Sequence, residues 1–573
     1  LVLATSLSGF CQEFRYQLQQ VDGATNKVIL EDYQEKKPNY SNAIEANQAL
    51  QATMAALYKD GHIAASVDSF YQDSLSLSAY IRTGGRYKWA LLERGNVEDY
   101  ILSRSGFRDK LYYSRPFNIR EVNKLFTRVI TYCENHGYPF ASIRLDSVQF
   151  QGEGVQAGLQ LNKNTLFLVD SIKLVGDAKI SATYIGNYLS IKQGDPYNES
   201  LIKRISARIK ELAFVEETQP HEVIFSDEKA TLILHLKNKK ASRFNGIIGL
   251  LPDEGTGKIL FTGDVELNLQ NALGRGEVID LNWRKLQTNT QDLQLFLTYP
   301  FLLNSPLGLD GSLKLYRRDT LFTDLHRQLG LQYLLSGGNY LKVYFNRQTS
   351  NIISTVGLEE QITPPPYLDV AINSYGIALK KDRLDYRLNP TRGYQLLVSG
   401  SVGNKEIKRN VNLNPVMYDS LELKTVQYQS NIAASIFLPL ASRTTIKVGV
   451  NGGLLYNENM FRNELFRIGG IKTLRGFDEE SITASSYSIF TTELRYLLEQ
   501  NSYAYLFWDG AYYEDRSQER DGALIDRPFG FGAGVSFETK AGIFSINYAL
   551  GRQQNNPILL RAAKIHFGFV NYF

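Results

Sequence analysis

The sequence predicts a fold in two parts: three α+β repeats, then an all-β antiparallel transmembrane β-barrel of about 16 strands. Three observations carry that expectation. An apolar pattern at helical spacing recurs within the first 240 residues, and strand-like runs follow it each time. From Ala241 to Phe573 the helical spacing is gone, and apolar residues alternate with polar ones at period two. The composition is aromatic, with Tyr 35, Phe 30 and Gly 45 against Met 3 and Trp 3. That balance suits β-structure at an interface better than a helical core.

Composition also excludes several classes. Charged residues at 21% and hydrophobic ones at 43% fit neither a disordered polar chain nor a bundle of membrane helices. No run approaches the ~18 consecutive apolar residues of a membrane-spanning helix. A net charge of +4 on 573 residues is too small to make nucleic acid the main partner.

Residues 1–12 read as the remnant of a secretion signal. Leu1 to Cys11 are apolar and small, and Gly9 and Cys11 stand where small residues precede a cleavage site before Gln12. An ordinary first strand is the alternative, and bulky Phe10 weighs against lipid attachment at Cys11. With Cys11 removed, Cys133 has no disulfide partner, and its place on an apolar helix face makes it a core residue.

The repeats are expected at 13–84, 85–164 and 165–240. In the first, Ala46, Ala49, Leu50, Thr53, Met54 and Leu57 form one helical face. The same spacing returns at Val122, Leu125, Phe126, Val129, Ile130 and Cys133. Gly61 and Gly137, 76 residues apart, follow these helices, and Ala65-Ser66-Val67 then matches Ala141-Ser142-Ile143. The third copy sets Leu201, Ile205, Ile209 and Leu212 on one helix, but Pro220 replaces the glycine as its breaker. Each unit reads as strand, helix, breaker, strand, turn, strand. A sheet of this kind leaves an edge that can accept an extended chain through backbone hydrogen bonds.

The barrel is expected over 241–573. Its alternation is plain in Ile279, Leu281 and Trp283 against Asp280, Asn282 and Arg284, and in Leu293, Leu295, Leu297 and Tyr299 against Asp292, Gln294 and Thr298. A soluble sandwich alternates too, but seldom over 300 residues without a helix. A barrel with apolar residues towards lipid and polar ones towards the lumen fits better, and hydrocarbon requires that it close. The last strand sets Ile565, Phe567, Phe569 and Phe573 on one side.

One constellation stands out near the end of the chain. Period two puts Asp509 on the face of Tyr503, Tyr505 and Phe507, opposite Leu506 and Trp508, so the carboxylate faces the lumen. The same rule turns Glu493 inward on the preceding strand. Gly530, Gly532 and Gly534 share a face and leave a column without side chains on the lumen wall. A loop carrying Leu474, Arg475, Gly476 and Phe477 is expected to fill that space, with Arg475 held by Asp509 and Glu493 through charge-assisted hydrogen bonds. The alternative is an ordinary loop-tip cation, with the glycines merely bending the sheet.

The segment Phe466-Arg467-Ile468-Gly469-Gly470-Ile471-Lys472-Thr473-Leu474-Arg475-Gly476-Phe477 resembles the BamA/TamA superfamily of outer-membrane assembly and translocation proteins. Ile172 to Ser181 looks like part of that family's periplasmic POTRA domains. Phe507-Trp508-Asp509-Gly510, Gly530 to Gly534 and the terminal Phe573 match its late strands. The resemblance implies a loop folded into the barrel, an outer-membrane location with POTRA domains in the periplasm, and no enzymatic activity. It implies unfolded outer-membrane clients, outer-membrane lipid and accessory periplasmic or lipoprotein subunits as partners. The expected role is insertion of β-barrel clients at a seam between the first strand, about Arg243 to Leu251, and the last, about Lys564 to Tyr572. The alternatives are a two-partner export pore, whose members typically carry fewer POTRA domains, and a paralogue for lipid or surface-lipoprotein traffic. No catalytic residue, cofactor or metal site is expected. The six histidines are scattered without a His-Glu-x-x-His, no Gly-x-Ser-x-Gly occurs, and the glycines at 530–534 lack the spacing of a dinucleotide loop.

Overall fold

The computed structural model describes residues 14–21, 39–40, 42–74, 76–252, 259–287, 290–386, 389–471, 473–517, 522–539, 542–554, 556–558 and 560–572. The expected signal remnant and Phe573 lie outside the described residues. The chain forms two compact units. One comprises 1–171, 193–203 and 223–231, and the other 172–192, 204–222 and 232–573, so the elements of the third repeat are divided between them.

In the first unit, the helix Ala43–Lys59 buries Ala46, Ala49, Leu50, Thr53, Met54 and Leu57. This stripe packs on Leu77, Ala79 and Ile81 of a four-stranded sheet. The next helix, Ile119–Glu134, buries Val122, Leu125, Val129 and Cys133 against a three-stranded sheet built from Lys88–Glu93, Gly154–Asn162 and Ser142–Gln151. Each helix starts at an asparagine whose side chain accepts from the first-turn amides: Asn42 from Ile44 and Glu45, Asn118 from Arg120. Asn198 does the same for Leu201 in the third repeat.

The matched glycines have a common use. Gly61 accepts from the amide of Tyr87 at 3.0 Å, and Gly137 accepts from Phe167 at 2.7 Å. Tyr87 and Phe167 in turn accept from Phe117 and Tyr197. The breaker after each helix is thus stitched to the strand that opens the next repeat. Both glycines have positive φ, +98° and +94°, which a side chain would strain.

The third repeat departs from expectation. The helix foreseen from Leu201 to Leu212 is broken at Lys203–Arg204 into Glu199–Ile202 and Ile205–Lys210. Ile202, not Leu201, is buried ahead of the break, so the apolar stripe is not continuous through it. A further helix, Ala182–Leu189, is capped by Ser181 and buries Tyr184, Ile185, Tyr188 and Leu189.

In the second unit that extra helix rests on the barrel. The Ser181 amide donates to Gly274, Asn271 Nδ2 donates to the Lys179 carbonyl at 2.9 Å, and Tyr184 meets Phe301 edge-on. The barrel consists of sixteen long antiparallel strands in sequence order. They begin with Arg243–Pro252, Ile259–Gln270 and Val278–Gln287 and end with Lys564–Tyr572. Leu329, Leu331 and Tyr333 on the sixth strand (Phe322–Leu334) point outward, as do Leu341, Val343 and Phe345 on the seventh (Tyr340–Ile352). Inward positions carry paired charges, Arg284 with Asp264 and Lys342 with Asp310, each at 3.0 Å.

The sheet curls until its ends meet, but the meeting is brief. Among the described residues the first and last strands share two register positions, Arg243 with Tyr572 and Phe244 with Asn571. The first strand pairs with the second along its whole length, from Arg243–Asn268 to Pro252–Ile259. At one end of the barrel, Leu368, Leu413, Met417, Tyr418 and Phe461 from three loops form a small shared core.

Candidate functional site

The loop between the eleventh strand (Thr444–Tyr456) and the twelfth (Ser486–Glu499) turns back into the barrel. Its two limbs pair as a short hairpin, Phe466–Ile468 against Ile482–Ala484. Below the hairpin the chain turns tightly: the Gly470 amide donates to Leu474, and the Thr473 hydroxyl accepts from the Gly469 amide at 2.8 Å. Leu474 and Phe477 are buried with Ile468, Ile482, Ile489, Ala511 and Tyr513, so an apolar contact holds the loop against the twelfth and thirteenth strands.

At the tip, Arg475 meets both carboxylates named from the sequence. The thirteenth strand (Ser502–Asp515) pairs with the twelfth so that Thr491 faces Asp509 and Glu493 faces Phe507. Arg475 Nε and Nη2 donate to the two oxygens of Asp509, each at 2.6 Å, and Nη1 donates to Glu493 Oε1 at 2.8 Å. The Arg475 amide also donates to Asp509 at 3.2 Å. The guanidinium lies 3.8 Å from the centroid of the Phe507 ring. All three charged groups are shielded, with Arg475 7%, Glu493 5% and Asp509 0% exposed.

Glu493 serves three cations. It accepts from Arg495 at 2.6 and 2.9 Å and from Lys447 at 3.3 Å, besides Arg475. Three positive groups therefore surround two carboxylates. Buried charge of this kind fixes geometry more than it adds net stability, because each ion has lost its water.

The glycine column has a narrower use than the sequence suggested. A Cβ on Gly530 would overlap the carbonyl of Arg475, so this glycine does make room for the loop. Gly534 instead adjoins the ring of Tyr505, and Gly532 lies against both the Tyr548 carbonyl and the ring of Phe507. They make room for the aromatic floor beneath Arg475, because these rings fold across the neighbouring strand and fill the gap themselves. Gly476 is required by the loop itself: its φ is +92°, and a Cβ there would stand 2.7 Å from the Leu550 carbonyl oxygen. Phe567 on the last strand is 58% exposed on the outer face, and Phe569 meets Phe544 with ring centroids 4.5 Å apart.

The sequence reading missed two further ties on the same loop. Arg467 Nη2 donates to Asp324 Oδ2 at 3.0 Å, and its guanidinium stacks 4.0 Å from the Tyr316 ring. Lys405 Nζ donates to Glu464 Oε1 at 2.6 Å, with neither side chain exposed. The period-two rule turns Asp324 inward, but nothing local to it names a partner 143 residues away. Among the described residues, no group of three His, Cys, Asp or Glu is placed to hold a metal ion.

Comparison with known proteins agrees with this architecture. No curated protein matches the sequence significantly. Among solved structures, CdiB from Escherichia coli matches with a TM-score of 0.54 at 12% identity, over 93% of this chain and 98% of that one. CdiB from Acinetobacter baumannii matches with a TM-score of 0.52 at 13% identity, over 85% and 90%. BamA from Haemophilus ducreyi lacking POTRA domains 1-3 is 15% identical over 85% of this chain and 100% of its own, with a TM-score of 0.45. The Omp85 superfamily domain matches residues 271–571, more than half of the 573, and spans the inward loop and its carboxylate partners. The chain belongs to the Omp85 superfamily.

Proposed function

We propose that this protein resides in an outer membrane and inserts β-barrel clients there, with its N-terminal repeats in the periplasm as POTRA domains. The observation that carries this reading is the brevity of the seam. Among the described residues only two register positions are shared, so most backbone groups that the last strand would offer the first are not engaged there. In hydrocarbon such groups demand partners. An incoming client strand supplies them, so client bonds replace seam bonds and little net energy is needed. The edge strands of the repeats suit clients in extended form. One of these edges, Ser142–Gln151, is interrupted at Ser147, where φ is +52°, so pairing along it would stop short.

The test is a disulfide across the register pair Phe244–Asn571, as F244C/N571C in a Cys11→Ser background. In liposomes, oxidation is expected to abolish client insertion and reduction to restore it. Insertion that continues unchanged with the seam locked overturns the reading. Export of a soluble partner through the locked barrel would favour the two-partner pore instead.

A further inference from the structure

We propose that Arg467 is a second positioning arginine, which with Arg475 suspends the inward loop as a strut between opposite walls of the barrel. This goes beyond the insertion role and does not depend on which client the protein serves. The two arginines stand eight residues apart on one loop, and each meets a buried carboxylate and an aromatic ring. Arg475 has Asp509 for a carboxylate and Phe507 for a stacking face. Arg467 has Asp324 for a carboxylate and Tyr316 for a stacking face, with Phe322 also within 5.2 Å.

Both arginines are desolvated. The side chains of Arg467 and Asp324 are only 10% and 3% exposed. A guanidinium sandwiched this way keeps one orientation, because the ring fixes its plane and the carboxylate fixes its rotation.

The partners lie far apart on the sheet. Tyr316 and Asp324 belong to the fifth strand (Leu307–Arg318) and the sixth, and Phe507 and Asp509 to the thirteenth. Six of the sixteen long strands lie between the sixth and the thirteenth on one side and eight on the other, close to a diameter. Lys405 on the ninth strand (Gly393–Ile407) pins the loop at Glu464, three residues before Arg467. The loop is thus tied to the wall on both sides of the bore. Loss of Arg475 alone leaves its root fixed, and loss of Arg467 alone leaves the tip fixed but opens the side beneath the fifth and sixth strands.

Planar-bilayer recording on the refolded full chain tests this, with heat-modifiable gel migration confirming that each variant has folded. Arg467→Ala is expected to raise the frequency of open events roughly ten-fold, the population shift of about one lost charge-assisted buried contact. Arg467→Lys keeps the charge without the flat stacking face and is expected to fall between. The exchange Arg467→Asp with Asp324→Arg is expected to return the frequency towards that of the parent, and Arg467→Ala with Arg475→Ala to exceed either single change. A parental trace from folded Arg467→Ala or Arg467→Lys overturns the proposal. So does an exchange variant no quieter than Arg467→Ala.

Discussion

Asp509 receives one whole edge of the Arg475 guanidinium, its two oxygens taking Nε and Nη2 at 2.6 Å each. The carboxylate is fully enclosed, and the ring of Phe507, two residues before it on the same lumen face, supports the guanidinium from below. This relationship sets the loop's depth and its rotation together. A point charge would set only the first, because an ammonium has no plane to align.

Arg475→Lys should therefore fold yet hold the loop loosely, with a lower unfolding temperature in detergent. Arg475→Ala leaves Asp509 buried and uncompensated, at a cost of about 3–5 kcal/mol. In a double-mutant cycle, Asp509→Ala should add little to Arg475→Ala. Full additivity of the two losses would refute the pairing.

Gly530 on the fourteenth strand (Phe529–Thr539) and Gly400 on the ninth should not be equivalent. Gly530→Ala puts a methyl into the Arg475 carbonyl and should expel the loop tip, raising protease cleavage near Phe477. Gly400→Ala, where nothing lies within 4 Å of the added atom, should leave both cleavage and stability unchanged. Equal behaviour of the two variants would remove the steric argument.

Asn118 caps the helix that contributes Val122, Leu125, Val129 and Cys133 to the second repeat's core. Asn118→Ala should cost about 1 kcal/mol of local stability. Amide hydrogen exchange on the full chain should show faster exchange across Ile119–Glu134 and none at Ala43–Lys59, which has its own cap at Asn42.

Cys133 lies in the core of the second repeat, and burial pushes its thiol above the usual range. Less thiolate forms at neutral pH, so in a Cys11→Ser background a disulfide reagent should label it slowly until denaturant opens the repeat. Rapid stoichiometric labelling of the folded protein would contradict the burial.

Two kinds of information separate in this molecule. The helical faces at 46–57 and 122–133, the alternation after Ala241 and the inward carboxylates Asp509 and Glu493 were legible because each follows from a local period. Side chains two apart on a strand, or three and four apart on a helix, share a face whatever the rest of the chain does. The split helix of the third repeat was not legible, because its apolar residues kept the i, i+4 spacing across a turn at Lys203–Arg204. Nor was the division of labour among Gly530, Gly532 and Gly534, since only packing decides whether a missing side chain admits a loop or a ring.

The pairing of Arg467 with Asp324 and of Lys405 with Glu464, and the two-position seam, were decided by tertiary structure alone. These contacts join residues more than 50 positions apart, brought together only when the sheet curls. Sequence determined which face each charge occupies. Closure of the sheet around its own loop determined which charge it meets, because only then are the buried groups left without water and forced to pair.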